Sequence, residues 1–120
     1  MIRMIEGLPD NVVAVSGVGE VSSADYTSTL DPAIDAALEK YDKIRLLYVL
    51  GEEFTGYGDG AAWEDVKLGV TTFNSYERMA IVTDSESVRR TIKAFGWLIP
   101  GDVQVFHLDG IVAATVWITD

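Results

Sequence analysis

The apolar positions change their period along the chain, and each change predicts an element. Residues 2–6 form a short, mostly apolar segment that ends in Gly7-Leu8-Pro9-Asp10-Asn11, a run of breakers. Val12-Val13-Ala14-Val15-Ser16-Gly17-Val18 is rich in β-branched residues. The two segments are expected to be strands paired as an antiparallel hairpin. Tyr26, Leu30, Ile34, Ala37, Leu38 and Tyr41 then recur at helical spacing behind Ser22 and Ser23, either of which can cap a helix. Pro32 leaves two arrangements open: it kinks one helix, or it takes the first position of a main helix capped by Asp31.

Residues 44–50 are apolar apart from Arg45, as suits a central strand covered on both faces. That strand is expected to stop at Gly51, before a loop of glycines, acids and aromatics over 51–60. Trp63, Val66, Val70 and Phe73 mark a second helix at about 61–73, which Gly69 weakens by ~1 kcal/mol relative to alanine. Residues 78–83 predict another strand. Thr83 and Glu86 fit a capping box for a third helix, with Val88, Ile92 and Phe95 inward and Arg89, Arg90 and Lys93 outward. Pro100-Gly101 is a turn, and 103–108 predicts the last strand. Residues 111–120 read two ways. Asp109-Gly110 between apolar runs favours a hairpin and strand, whereas Val112, Ala113, Val116 and Trp117 make a helical stripe. The local pattern leans towards strand.

Composition narrows the picture. The 120 residues suit one domain, 1–120, and at 48% hydrophobic they can bury a real core. No apolar run reaches the ~20 residues that span a bilayer, and the first residues lack the pattern of a signal peptide. The chain has no cysteine, which removes disulfides and thiolate chemistry and fits a cytoplasmic setting. A net charge of -10 repels nucleic acid. Arg89, Arg90 and Lys93 form the one basic cluster, without interleaved aromatics, and read as a solvated helix face. No nucleic-acid partner is expected. Anionic membranes are disfavoured by the same charge, although peripheral contact through an apolar patch stays open.

The 51–60 loop falls at the carboxyl end of a strand, where ligands sit in α/β sheets. It holds no recognisable catalytic set. Gly56-x-Gly58-x-Gly60 has neither the spacing of a dinucleotide loop nor a Gly-Lys-Ser/Thr ending, and Asp59, Glu64 and Asp65 would repel a phosphate. The acids Glu52, Glu53, Asp59, Glu64 and Asp65 match no calcium loop; Glu64 and Asp65 suit a helix N-terminus better. His107, the one histidine, has no assignable serine and carboxylate and reads as structural. No catalytic residue, metal or cofactor is expected. The sharper feature is apolar: Phe54, Tyr57, Trp63, Val66 and Val70 surround Gly56, Gly58 and Gly60. With the glycines as hinges, the 61–73 helix would act as a lid over an apolar pocket. The competing reading is that these side chains simply cover one face of the sheet.

Several segments, taken in order, resemble the SpoIIAA-like family of bacterial domains, which is related to STAS domains and SEC14-type lipid-binding folds. They are Ile-Glu-Gly-Leu-Pro (5–9), Ser23-Ala24-Asp25-Tyr26, Pro32, Lys43-Ile44-Arg45-Leu46-Leu47, Met79-Ala80-Ile81-Val82-Thr83-Asp84, Val105-Phe106 and a terminal Ala-x-x-x-Trp (113–117). The resemblance implies an α/β fold with a mixed, mostly parallel sheet of about five strands and helices packed against it. It favours a helix for 111–119 over the local strand signal. It also implies a binding protein and not an enzyme. Kinase-switched STAS antagonists carry a serine in an Asp-Ser-Ser-Gly-like turn after the central strand. Here that place reads Gly51-Glu52-Glu53-Phe54-Thr55-Gly56, and Thr55 lies among carboxylates with no arginine to pair a phosphate. The expected function is a non-enzymatic module that holds a small hydrophobic or lipid-like ligand under the 61–73 helix. The alternative is a dimeric protein-interaction module of the anti-sigma-antagonist type, without the usual phosphorylatable serine.

Overall fold

Five strands line up in chain order: β1 (Ile2–Met4), β2 (Val12–Val21), β3 (Ile44–Tyr57), β4 (Tyr76–Thr83) and β5 (Asp102–Phe106). β1 runs antiparallel to β2, and the other neighbours are parallel. The structure, a computed structural model, describes residues 1–58, 75–96 and 101–120. The expected 61–73 helix therefore lies outside the described residues.

β3 sits in the middle of the sheet. Its Ile44, Leu46, Tyr48 and Leu50 join one core cluster, while Leu47 and Val49 join a second on the opposite face. Burial on both faces is why this segment is apolar almost without interruption.

The first face is covered by a helical run that begins at Ser22. The Ser22 hydroxyl accepts from the Asp25 N–H, and the Asp25 carboxylate accepts from the Ser22 N–H at 2.8 Å, a reciprocal cap. The run comprises α1 (Ser23–Asp25), a π turn (Tyr26–Leu30) and α2 (Asp31–Lys40). Pro32 neither starts a fresh helix behind an Asp31 cap nor breaks the run. The Asp31 N–H reaches back five residues to Tyr26 O, and Leu30 occupies the cap position of α2. The widened turn precedes the proline, which has no N–H to give to the ladder. Tyr26, Leu30, Ile34 and Ala37 are buried with Val13, Val15, Leu46 and Tyr48, and the Tyr26 and Tyr48 hydroxyls hydrogen-bond at 2.9 Å.

α3 (Glu86–Phe95) adds Val88 and Ile92 to the same face. Its expected capping box does not form. Ser85 takes the cap position, without a side-chain cap bond. Thr83 is still the buried end of β4, and its hydroxyl accepts from the Ser85 N–H at 3.1 Å.

On the second face, α4 (Ile111–Thr119) lies across β3 and β4. The local strand signal is overruled here and the helix implied by the resemblance is present. A 3-10 turn, Leu108–Gly110, replaces the hairpin turn. Ala114 and Ile118 are fully buried against Leu47, Val49, Ala80 and Val82. The inward face is thus rotated from the expected stripe. Ala113 is exposed, and Val112 and Val116 are 73% and 62% exposed. Trp117 is half-buried, 6.1 Å from the Phe106 ring and beneath the Arg78 guanidinium at 5.2 Å.

The last carbonyls of α4 need donors, and two strands supply them. Arg45 of β3 donates to Ile118 O at 3.0 Å and to Asp120 O, and Arg78 of β4 donates to Trp117 O at 2.7 Å. Both cations also complement the negative end of the helix dipole. This accounts for the one charged residue in the apolar run of β3; Glu77 pairs the same guanidinium.

β3 does not stop at Gly51. It continues to Tyr57, and β2 continues with it: Gly19, Glu20 and Val21 pair with Phe54, Gly56 and Tyr57 across two register shifts. Gly17 stands beside the first shift, packed so closely that a Cβ there would lie 2.7 Å from Leu50 Cδ2.

The orientation of α4 gives a direct stability contrast. Ile118→Ala should lower the unfolding free energy by ~2–5 kcal/mol in urea titration, whereas Val116→Ala should change it by less than about 0.5 kcal/mol. Equal losses would mean that the helix presents a different face to the sheet.

Candidate functional site

Three parallel contacts bring the carboxyl ends of β2, β3, β4 and β5 to one edge of the sheet, the position where such sheets bind ligands. Two chemically different zones lie there.

The first is the outer part of β3. Phe54 and Tyr57 are half-buried against the first-face core, with ring centroids 5.3 Å apart in an edge-on arrangement. Glu52, Glu53 and Thr55 are exposed. Thr55 thus sits on a paired strand and not in a turn. Gly56 has φ +137°, a conformation that favours glycine, and pairs with Glu20. The Gly58 N–H donates to Val21 O at 2.7 Å, and a Cβ on Gly58 would collide with the Glu20 carboxylate. Both glycines, expected as part of a loose hinge, are fastened to β2. Of the residues expected to line a pocket, Phe54 and Tyr57 lie side by side. Trp63, Val66, Val70 and the hinge residue Gly60 lie outside the described residues.

The second zone joins the ends of β4 and β5. Asp84 follows β4 and His107 follows β5. The Asp84 carboxylate accepts from the Leu108 N–H at 3.0 Å and lies 3.1 Å from His107 Nδ1. The Leu108 N–H, and after it the His107 hydrogen bond, hold the Asp84 carboxyl below its usual range. His107 bridges two strand ends while its side chain stays exposed. Arg89 is half-buried and donates to Thr83 O at 3.2 Å. Arg90 and Lys93 are exposed, with Arg90 3.8 Å from Glu86. The basic residues, Asp84, Glu86, His107 and Asp109 border an open cleft of about 680 Å3. Sequence reasoning missed this grouping. The one available signal was that an acid and the histidine each directly follow a strand, and using it requires knowing that β4 and β5 are neighbours. Among the described residues no group of His, Cys, Asp or Glu is placed to hold a metal ion.

A mostly parallel sheet with one antiparallel edge strand and helices on both faces defines a small α/β domain. Residues 12–119 match the SpoIIAA-like family, and the chain belongs to it. Among solved structures it is similar to an uncharacterised protein with a SpoIIAA-like fold from Shewanella loihica PV-4. The two are 27% identical with a TM-score of 0.75, over 98% of this chain and 92% of that one. No curated protein matches the chain.

The Asp84 contacts make a pH prediction. A carboxyl held low in the folded state contributes stability that is complete above its ordinary value. That stability is lost as the pH falls through the lower folded value. Asp84→Asn should therefore reduce the acid-side slope of unfolding free energy against pH. Asp25, which the Ser22 N–H also holds low, supplies part of what remains. Denaturant titrations across the acid range measure it; an unchanged slope would show that the Asp84 bonds do not persist in solution.

Proposed function

We propose that this SpoIIAA-like chain is a non-enzymatic binding module. It takes a small hydrophobic or amphipathic ligand at the carboxyl end of β3, and the cytoplasm is its proposed setting. One observation carries the reading. Phe54 and Tyr57 form a half-buried aromatic pair at the end of the central strand, continuous with the first-face core. An apolar ligand seated there would gain roughly 25 cal/mol for each Å2 removed from water. Trp63, Val66 and Val70 would complete the lining. Any lid would swing from beyond Gly58, since Gly56 and Gly58 are tied to β2.

Native mass spectrometry after organic extraction, together with titration of the fluorescent probe N-phenylnaphthylamine, tests this. A lipid-like mass should co-purify, and Tyr57→Asp should weaken probe binding about tenfold, equivalent to ~1.4 kcal/mol, while circular dichroism stays native. A protein that carries no extractable mass and gives no saturable probe signal would overturn the reading.

The second reading, a dimeric interaction module, is favoured by α4. Ile111, Val112 and Val116 are exposed on a helix that carries no charged residue, in a chain of net charge -10. A helix apolar on all sides is normally covered. A two-fold pairing of α4 with its copy would bring together surfaces without like-charge repulsion. Sedimentation velocity over a concentration series should show a dimer that Val116→Glu converts to monomer; a monomer at every concentration would sink this alternative.

A further inference from the structure

We propose that the cleft between the carboxyl ends of β4 and β5 binds a phosphoryl group through Arg90, Lys93 and His107. The site is distinct from the aromatic zone at the end of β3 and does not rest on it.

The charge distribution is the first reason. The chain has 9 lysines and arginines against 19 acids. A surface cleft drawn from that composition should be anionic, yet Arg89, Arg90, Lys93 and the single histidine all border this one. Of the three acids beside them, Asp84 is engaged by hydrogen bonds. Asp84 accepts the Leu108 N–H and faces His107 Nδ1. Glu86 lies 3.8 Å from Arg90 with both side chains at least 80% exposed, a pair that contributes little and exchanges readily. Asp109 remains at the border as an exposed carboxylate. Arg89 turns back to Thr83 O and anchors the start of α3 to β4.

The second reason is the arrangement of donors. Arg90 and Lys93 stand on the same part of α3, and His107 faces the cleft from the end of β5. Asp84 engages Nδ1, so Nε2 is the ring nitrogen left for a ligand. A guanidinium offers paired donors that match the oxygens of a phosphoryl group. Arg90 and Lys93 bring two fixed positive charges to a phosphoryl dianion.

Size and place agree. About 680 Å3 lies within the ~300–1,000 Å3 of small-molecule sites. The carboxyl edge of a parallel sheet is where such ligands bind.

The test follows the His107 ring signals by NMR during titration with inorganic pyrophosphate. Flotation with phosphatidic acid vesicles is run beside it, against phosphatidylcholine vesicles as control. A saturable His107 response to pyrophosphate supports the site and identifies a soluble phosphoryl compound as its class of ligand. Flotation with phosphatidic acid alone, without a pyrophosphate response, supports the site and assigns it to a lipid headgroup. In either case Arg90→Gln with Lys93→Gln should weaken binding tenfold or more, and both side chains are exposed enough that folding should be kept. The proposal is overturned if neither probe gives a response, or if the double variant binds as the unaltered protein does.

Discussion

Burial of β3 on both of its faces is the constraint from which the rest of the architecture follows. A strand with Leu46, Tyr48 and Leu50 on one side and Leu47 and Val49 on the other must be covered twice. The first face receives α1, the π turn, α2 and part of α3. Among the described residues, the second is covered over β3 and β4 by the nine-residue helix α4. A helix packed on a sheet this way leaves its last carbonyls without partners, and Arg45 and Arg78 reach them from the two strands beneath. Covering the core and closing the helix end are therefore one arrangement. It turns Ala114 and Ile118 inward and leaves Val112 and Val116 outward.

The same sheet order decides where chemistry can occur. Parallel neighbours gather the carboxyl ends of four strands, and neighbouring ends differ in character. At β3 the strand runs on through Phe54 to Tyr57, which suits an apolar ligand. At β4 and β5 the chain turns immediately into Asp84 and His107, beside the basic face of α3. In the proposed roles the first surface would gain by excluding water and the second by pairing charge, so one edge of the fold would serve two unlike ligand chemistries.

The central strand, the Ser22 cap and the helix after Thr83 were legible because each rests on local rules: apolar runs, capping side chains and helical spacing. The outer half of β3 was not. Its glycines and acids have the composition of a loop, and what makes it a strand is the backbone of Gly19 to Val21 lying alongside. Side-chain pattern carries no record of that pairing. Of the candidate site, Phe54 and Tyr57 were legible from their place after an apolar run. The Asp84–His107 bridge was not, because 23 residues separate the partners and only the parallel register of Val82 with Phe106 brings them together.

By itself the sequence determined the class of fold, through the doubly buried strand and the alternation of strand with helix, and it determined the family through segments spread along the chain. The tertiary structure decided the rest. It made 111–119 a helix, because a β-branched segment that must cover Leu47, Val49, Ala80 and Val82 gains more from that burial than it loses in local propensity. It turned Ala114 and Ile118 inward rather than Val112 and Val116, and two arginines from the strands beneath fasten the end of that helix.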